Sequence, residues 1–196
     1  MFILDLVLPV LMAFYILCVV VTGVFCKKIK IKYKLSYFAL FELYIIGLIK
    51  VVVMPIFILN QASKEYFLTH IGKKAVYAIQ VIPFKTIYGN LMSLSMAGIV
   101  QVVGNVVLLM PVAFFMVWII QVKKKSIVYG LGILVTVLIE GVQYLINVLT
   151  TYPSHVVDID DVILNYTGYL LAIVIICLIK KYNKPFYDKV RSVFLK

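Results

Sequence analysis

The chain has 196 residues, 64% of them hydrophobic and 14% charged, with a mean hydropathy of +1.10. Soluble domains run at about 45–50% apolar residues, so this balance excludes disorder and an ordinary water-soluble domain. The net charge of +11 comes from 18 lysines and one arginine gathered in blocks, which argues against a nucleic-acid groove with its water-facing scaffold and arginine forks.

Runs of about 20 apolar residues cross the roughly 30 Å of bilayer hydrocarbon. Five such runs, 3–25, 35–59, 94–121, 127–149 and 159–179, predict an all-α polytopic helical bundle forming one membrane domain over 1–196. The first run lacks the basic start and small-residue cleavage site of a signal peptide and is expected to stay attached. After it come Lys27, Lys28, Lys30, Lys32 and Lys34. Lys123, Lys124 and Lys125 follow the third run, and Lys180, Lys181, Lys184, Lys189, Arg191 and Lys196 lie at and beyond the end of the fifth. With five spans these blocks share one side, which the positive-inside rule makes the cytoplasm, so the N-terminus is expected outside and the C-terminus inside. Residues 61–93 then fall outside, less basic with Lys64, Lys73, Lys74 and Lys85 against Glu65. Within them 75–82, closed by Pro83, is too short to span and predicts an interfacial or re-entrant segment between helices 2 and 3. Cys18, Cys26 and Cys177 show no paired spacing and read as small apolar helix residues.

A charge inside the bilayer costs at least about 2.5 kcal/mol, so each one calls for a reason. In the fourth run Thr136, Glu140, Gln143 and Asn147 fall within an arc of about 60° on a helix of 3.6 residues per turn. Around the fifth, Asp158, Asp161, Asn165 and Gly168 share a face about 80° wide, with Asp160 pointing elsewhere. Gln101 and Asn105 form a similar face on the third. All three lie in the expected outer half and predict one pocket open to the outside. Each also has a structural reading. Asp158 and Asp161 suit an N-cap and first helical turn. Asn105 and Gln143 suit hydrogen bonds between helices. Glu42 and Lys50 suit paired or snorkelling charges, and His155 a plain loop residue. Glu140, about 13 Å inside the expected boundary, is beyond easy snorkelling reach, and there function is favoured.

Four separated motifs resemble the VanZ-like family of small bacterial membrane proteins, over residues 79–169. They are Ile82-Pro83-Phe84-Lys85-Thr86-Ile87, Gly104-Asn105 with Pro111, Ile139-Glu140 with Gln143, and Asp158-Ile159-Asp160-Asp161 with Asn165 and Gly168. Members usually carry Arg three positions before the first of those aspartates, where this chain has His155. A histidine is charged mainly below about pH 6.5, so anion binding there is expected to depend on pH. The resemblance implies a role in tolerance of teicoplanin-type glycopeptides at the bacterial cytoplasmic membrane.

The leading expectation is an outer-leaflet pocket that acts on or binds a lipid-linked cell-wall or cell-surface molecule, with the bilayer as its setting and no nucleic-acid partner. In the catalytic version Glu140 is the general base. Asp158 and Asp161 orient a substrate hydroxyl or hold a divalent cation, and carboxylates suit Mg²⁺ or Ca²⁺. In the binding version the same groups, with Asn105, Gln143, His155, Asp160 and Asn165, hold a polar headgroup. An ion- or proton-coupled transporter and a structural or partner-binding protein are the alternatives.

Overall fold

The computed structural model describes residues 2–5, 8–29, 35–70, 72, 76 and 78–195. Lys30, Lys32, Lys34, Lys73, Lys74 and Lys196 of the basic blocks, and residues 75 and 77 of the weakly apolar stretch, lie outside the described residues.

The chain opens with a short strand β1 (Phe2–Leu4), then α1 (Leu8–Ile29) and α2 (Leu35–Val53). Strand β2 (Ile56–Ile58) follows and pairs antiparallel with β1, Ile3 opposite Phe57. The segment between the second and third predicted spans holds α3 (Gln61–His70), β3 (Ile79–Gln80) and α4 (Lys85–Met92). Helices α5 (Met96–Leu108) and α6 (Met110–Ala113) run on into a π-helical turn, Phe114–Ile119. Then come α7 (Lys125–Thr150), β4 (Val157–Asp158), α8 (Ile159–Tyr182) and α9 (Lys184–Phe194). Among the described residues four helical stretches are long and apolar enough to cross a membrane: Leu35–Val53, Met96–Ile119, Lys125–Thr150 and Ile159–Tyr182. In α1 the described apolar part, Pro9–Val24, is shorter.

Two boundaries differ from the sequence reading. The second span was expected to run helical to residue 59, but α2 ends at Val53 and the chain turns through Met54-Pro55 into β2. Proline lacks a backbone N–H and disfavours helix at the residue before it, and Ile-Phe-Ile suits a strand. The third span is broken at Leu109, one residue before Met110 and Pro111 open α6, because proline is tolerated only in a helix's first turn.

Helices α5 and α8 make the closest approach in the bundle. A Cβ added at Gly168 would lie 1.6 Å from the Val106 carbonyl oxygen, so the two backbones touch there and only glycine fits. Small residues that admit such contacts are a usual basis of helix association in lipid, where apolar burial gives no net drive. Around this contact Leu109, Ala113, Ile139 and Tyr169 are buried, and the Tyr169 hydroxyl donates to the Val128 carbonyl at 2.7 Å. At the lysine-rich end, Trp118 stacks on Tyr187 with ring centroids 5.3 Å apart and donates from Nε1 to the Tyr187 carbonyl. That contact docks α9 on the bundle, and the Asn183 side chain caps its start by accepting from Phe186 N. The sequence reading treated this tail only as charge.

At the opposite end, β3 pairs in parallel with β4, setting Gln80 beside Asp158. Two residues of ladder bring a segment 78 positions upstream onto the start of α8.

Candidate functional site

The start of α8 gathers most of the expected residues. Asp158 is the N-cap, its carboxylate accepting from Asp160 N at 2.8 Å, the usual way to satisfy an orphan amide at a helix start. The same carboxylate accepts from Gln80 Nε2 at 3.1 Å and from the Thr86 hydroxyl. Its backbone amide donates 3.0 Å to Oε2 of Glu140 on α7. Asp158 is 2% exposed and Glu140 7%.

Asp160 points away from this face, as the helical spacing predicts, and its task is specific. Fully buried, it accepts three backbone amides from the start of α4: Phe84 N at 2.5 Å, Thr86 N at 2.8 Å and Ile87 N at 3.0 Å. The cap residue of α4, Phe84, is left-handed at φ 65° and offers no side-chain cap. The carboxylate from α8 supplies those acceptors, and the positive ends of two helix dipoles stabilise it. The Ile82–Ile87 motif and the aspartate motif are therefore two halves of one clasp.

Asp161 faces α5, where it accepts from Asn105 Nδ2. These two faces meet, and neither Asp161 nor Asn105 lines the cleft beside Glu140. Glu140 also lies close enough to Asp161 to feel its charge. Asn165, one turn on, is 1% exposed, and among the described residues its Oδ1 accepts nothing. On α7 the predicted stripe points inward: Thr136 and Asn147 are buried, and Gln143 donates to the Val52 carbonyl at 3.1 Å. Asn147 holds the loop before β4 through both backbone groups of His155, donating to its carbonyl at 2.7 Å and accepting its amide at 3.1 Å. The His155 ring contacts the Val53 carbonyl from Nε2 at 3.1 Å, and burial pushes its pKa below the usual 6.5. His155 therefore joins the loop to the end of α2.

A cleft of about 370 Å³ opens beside this clasp, between α7, α8 and β3. Val137, Tyr144, Val157 and Val162 give it mostly apolar walls, and Glu140 and Asp158 are its two acids. Asp158 accepts three hydrogen bonds, whereas Oε1 of Glu140 accepts none among the described residues. Gln80, Thr86 and Tyr144 had no place among the expected site residues. The Ile82–Ile87 motif was the available signal for Thr86, and only the strand pairing reveals Gln80. Among the described residues no group of three or more His, Cys, Asp or Glu lies together as a metal site. Asp158 and Asp161, on which the sequence would seat Mg²⁺ or Ca²⁺, already accept from Gln80, Thr86, Asp160 N and Asn105, which makes this set a poor fit for such an ion.

Fold and site define a helical integral membrane protein whose motif residues meet at one end of the bundle, around a carboxylate-walled cleft. The chain belongs to the VanZ/LLP1 family, whose model matches residues 41–180. Neither the curated proteins nor the solved structures contain a match to it.

Proposed function

We propose that this protein binds the lipid-linked portion of a cell-surface molecule in the cleft beside Glu140 and so lowers susceptibility to teicoplanin-type lipidated glycopeptides. In this reading it sits in the bacterial cytoplasmic membrane with five spans, N-terminus outside and C-terminus inside. The cleft then opens at outer-leaflet depth. The observation that carries the reading is the cleft's make-up: apolar walls for a hydrocarbon chain and one unsatisfied carboxylate oxygen for a donor on the headgroup.

Transport is the weaker reading. Two of the charges that would form an ion path pair between α1 and α2 or beside them: Lys50 with Asp5, and Glu42 with the Thr22 hydroxyl.

The test is teicoplanin susceptibility of a sensitive host expressing wild type, Glu140→Gln or Asp161→Asn at matched membrane abundance. Protection lost in Glu140→Gln and kept in Asp161→Asn supports the cleft. Protection lost only in Asp161→Asn moves the site to the Asn105 pair. No protection by wild type removes the glycopeptide role.

A further inference from the structure

The lysine-rich end of the bundle carries a second site, unrelated to the cleft. Helix α9 has three distinct faces. Tyr187, Val190, Arg191 and Phe194, at helical spacings of three and four, form the side turned to the bundle, with Tyr187 and Phe194 buried. Phe186 and Val193, only about 20° apart around the axis, form an apolar flank and are 47% and 55% exposed. Lys184, Asp188, Lys189 and Ser192 make up the polar remainder. A helix with a packed side, an apolar flank and a basic polar side fits the boundary between hydrocarbon and water. Its surroundings match that depth. Trp118 and Tyr187 form an aromatic pair, Lys180 lies 5.5 Å over the Tyr187 ring, and Lys181 lies 4.9 Å over that of Tyr182.

Arg191, the only arginine in the chain, stands on the inward side of this helix. Its Nε is buried and has no hydrogen-bond partner among the described residues. Asp188, three residues earlier, makes no ion pair with it within 4 Å. None of lysines 123–125, Lys180, Lys181, Lys184 or Lys189 is paired with an acid among the described residues. A half-buried guanidinium with an unmatched Nε, at an end of the bundle whose ammonium groups lack acid partners among the described residues, calls for an anion with several acceptor oxygens.

We propose that Arg191, supported by these lysines, binds the phosphate of an anionic phospholipid. Each cation near a membrane surface contributes about fivefold to preference for anionic lipid.

The experiment uses the full-length protein in nanodiscs holding equal phosphatidylglycerol and phosphatidylcholine, with retained lipids counted by native mass spectrometry. Wild type retains phosphatidylglycerol in several-fold excess. Arg191→Gln loses about fivefold of that excess, while Lys64→Gln, which removes a cation from α3 instead, keeps it. Excess inorganic phosphate leaves the retained lipid in place. Should Arg191→Gln lower the melting temperature in zwitterionic detergent, Arg191→Lys decides, its charge keeping part of the excess. Four results overturn the proposal: unchanged preference in Arg191→Gln, no preference in Arg191→Lys, equal loss in Lys64→Gln, or displacement by inorganic phosphate.

Discussion

Replacing Asp160 by asparagine tests the clasp that joins α4 to α8. The change removes one acceptor oxygen and the charge, and it turns an NH₂ group toward backbone donors. Asp160 receives Phe84 N on Oδ1 and both Thr86 N and Ile87 N on Oδ2. An asparagine that keeps its oxygen toward Thr86 and Ile87 leaves Phe84 N facing an amide, and the opposite rotamer orphans two amides. Hydrogen bonds to charged groups contribute about 1.5–3 kcal/mol each, and a buried donor left unmatched costs about 1–3 kcal/mol. One bond lost and two weakened give about 3–5 kcal/mol of local stability, or a rise of roughly 10² to several 10³ in opening of the segment. Hydrogen exchange on the full-length protein in nanodiscs reads this directly. Amides 84–87 should lose that much protection in Asp160→Asn, while those of 169–176, in the middle of α8, keep their own. Exchange at 84–87 within about twofold of wild type would refute the clasp as an energetic element, and equal acceleration in both segments would mean that the damage is global.

Gly168→Ala should be among the most damaging single changes, since its Cβ meets the Val106 carbonyl at 1.6 Å and neither backbone has a flexible end to yield. Overpacking here should cost about 3 kcal/mol or more, and a melting temperature equal to wild type would show that α5 and α8 are farther apart. Asn147→Ala should cost about 2 kcal/mol by freeing both backbone groups of His155; proteolysis between residues 150 and 157 should accelerate. Burial depresses the His155 pKa, with the Val53 carbonyl contact opposing it. The unfolded chain therefore takes up the proton first, so His155 contributes fully above about pH 6.5 and that contribution is lost as pH falls through the folded pKa. Melting temperatures measured downward from neutral pH should fall more steeply for wild type than for His155→Gln. Parallel curves would leave His155 without a part in acid sensitivity.

What the sequence made legible follows from spacing. A helix of 3.6 residues per turn fixes which of Thr136, Glu140, Gln143 and Asn147 face together, and all but Gln143 are buried by the bundle. The same arithmetic turned Asp161 toward Asn105 and Asp160 away from both. It was silent on where Asp160 went, because its partners lie 73 to 76 positions upstream and no local period encodes a contact of that range. The β2 strand was hidden for another reason: an apolar run carries no period that separates a buried helix from a strand, and only Pro55 marked the change. In α9 the charge count masked the pattern. Tyr187, Val190 and Phe194 repeat at helical spacing within a tail read for its lysines.

The distribution of hydrogen bonds among the acids bears on what chemistry the site can host. Four carboxylates meet at this end of the bundle, yet three of them are committed: Asp158 to Asp160 N, Gln80 and Thr86, Asp160 to the start of α4, and Asp161 to α5. They act as positioning residues that hold the walls of the cleft. Of the two acids that line the cleft, Glu140 keeps Oε1 without a donor among the described residues, its other oxygen being spent on the Asp158 amide. A single oriented acceptor in an apolar cleft is enough to select a ligand that brings both a hydrocarbon chain and a donor, since a ligand lacking the donor would leave the carboxylate unmatched. Bond cleavage asks for a nucleophile, which a general base can draw from water or from a hydroxyl on the ligand, and Tyr144, Gln80 and Asp158 accompany Glu140 as polar groups in the lining. Glu140→Gln separates the two roles, because glutamine keeps an acceptor oxygen and the side chain's shape but cannot take up a proton. A binding site that needs the carboxylate's charge should lose affinity for its lipid in that variant, whereas a general base should lose turnover with binding intact.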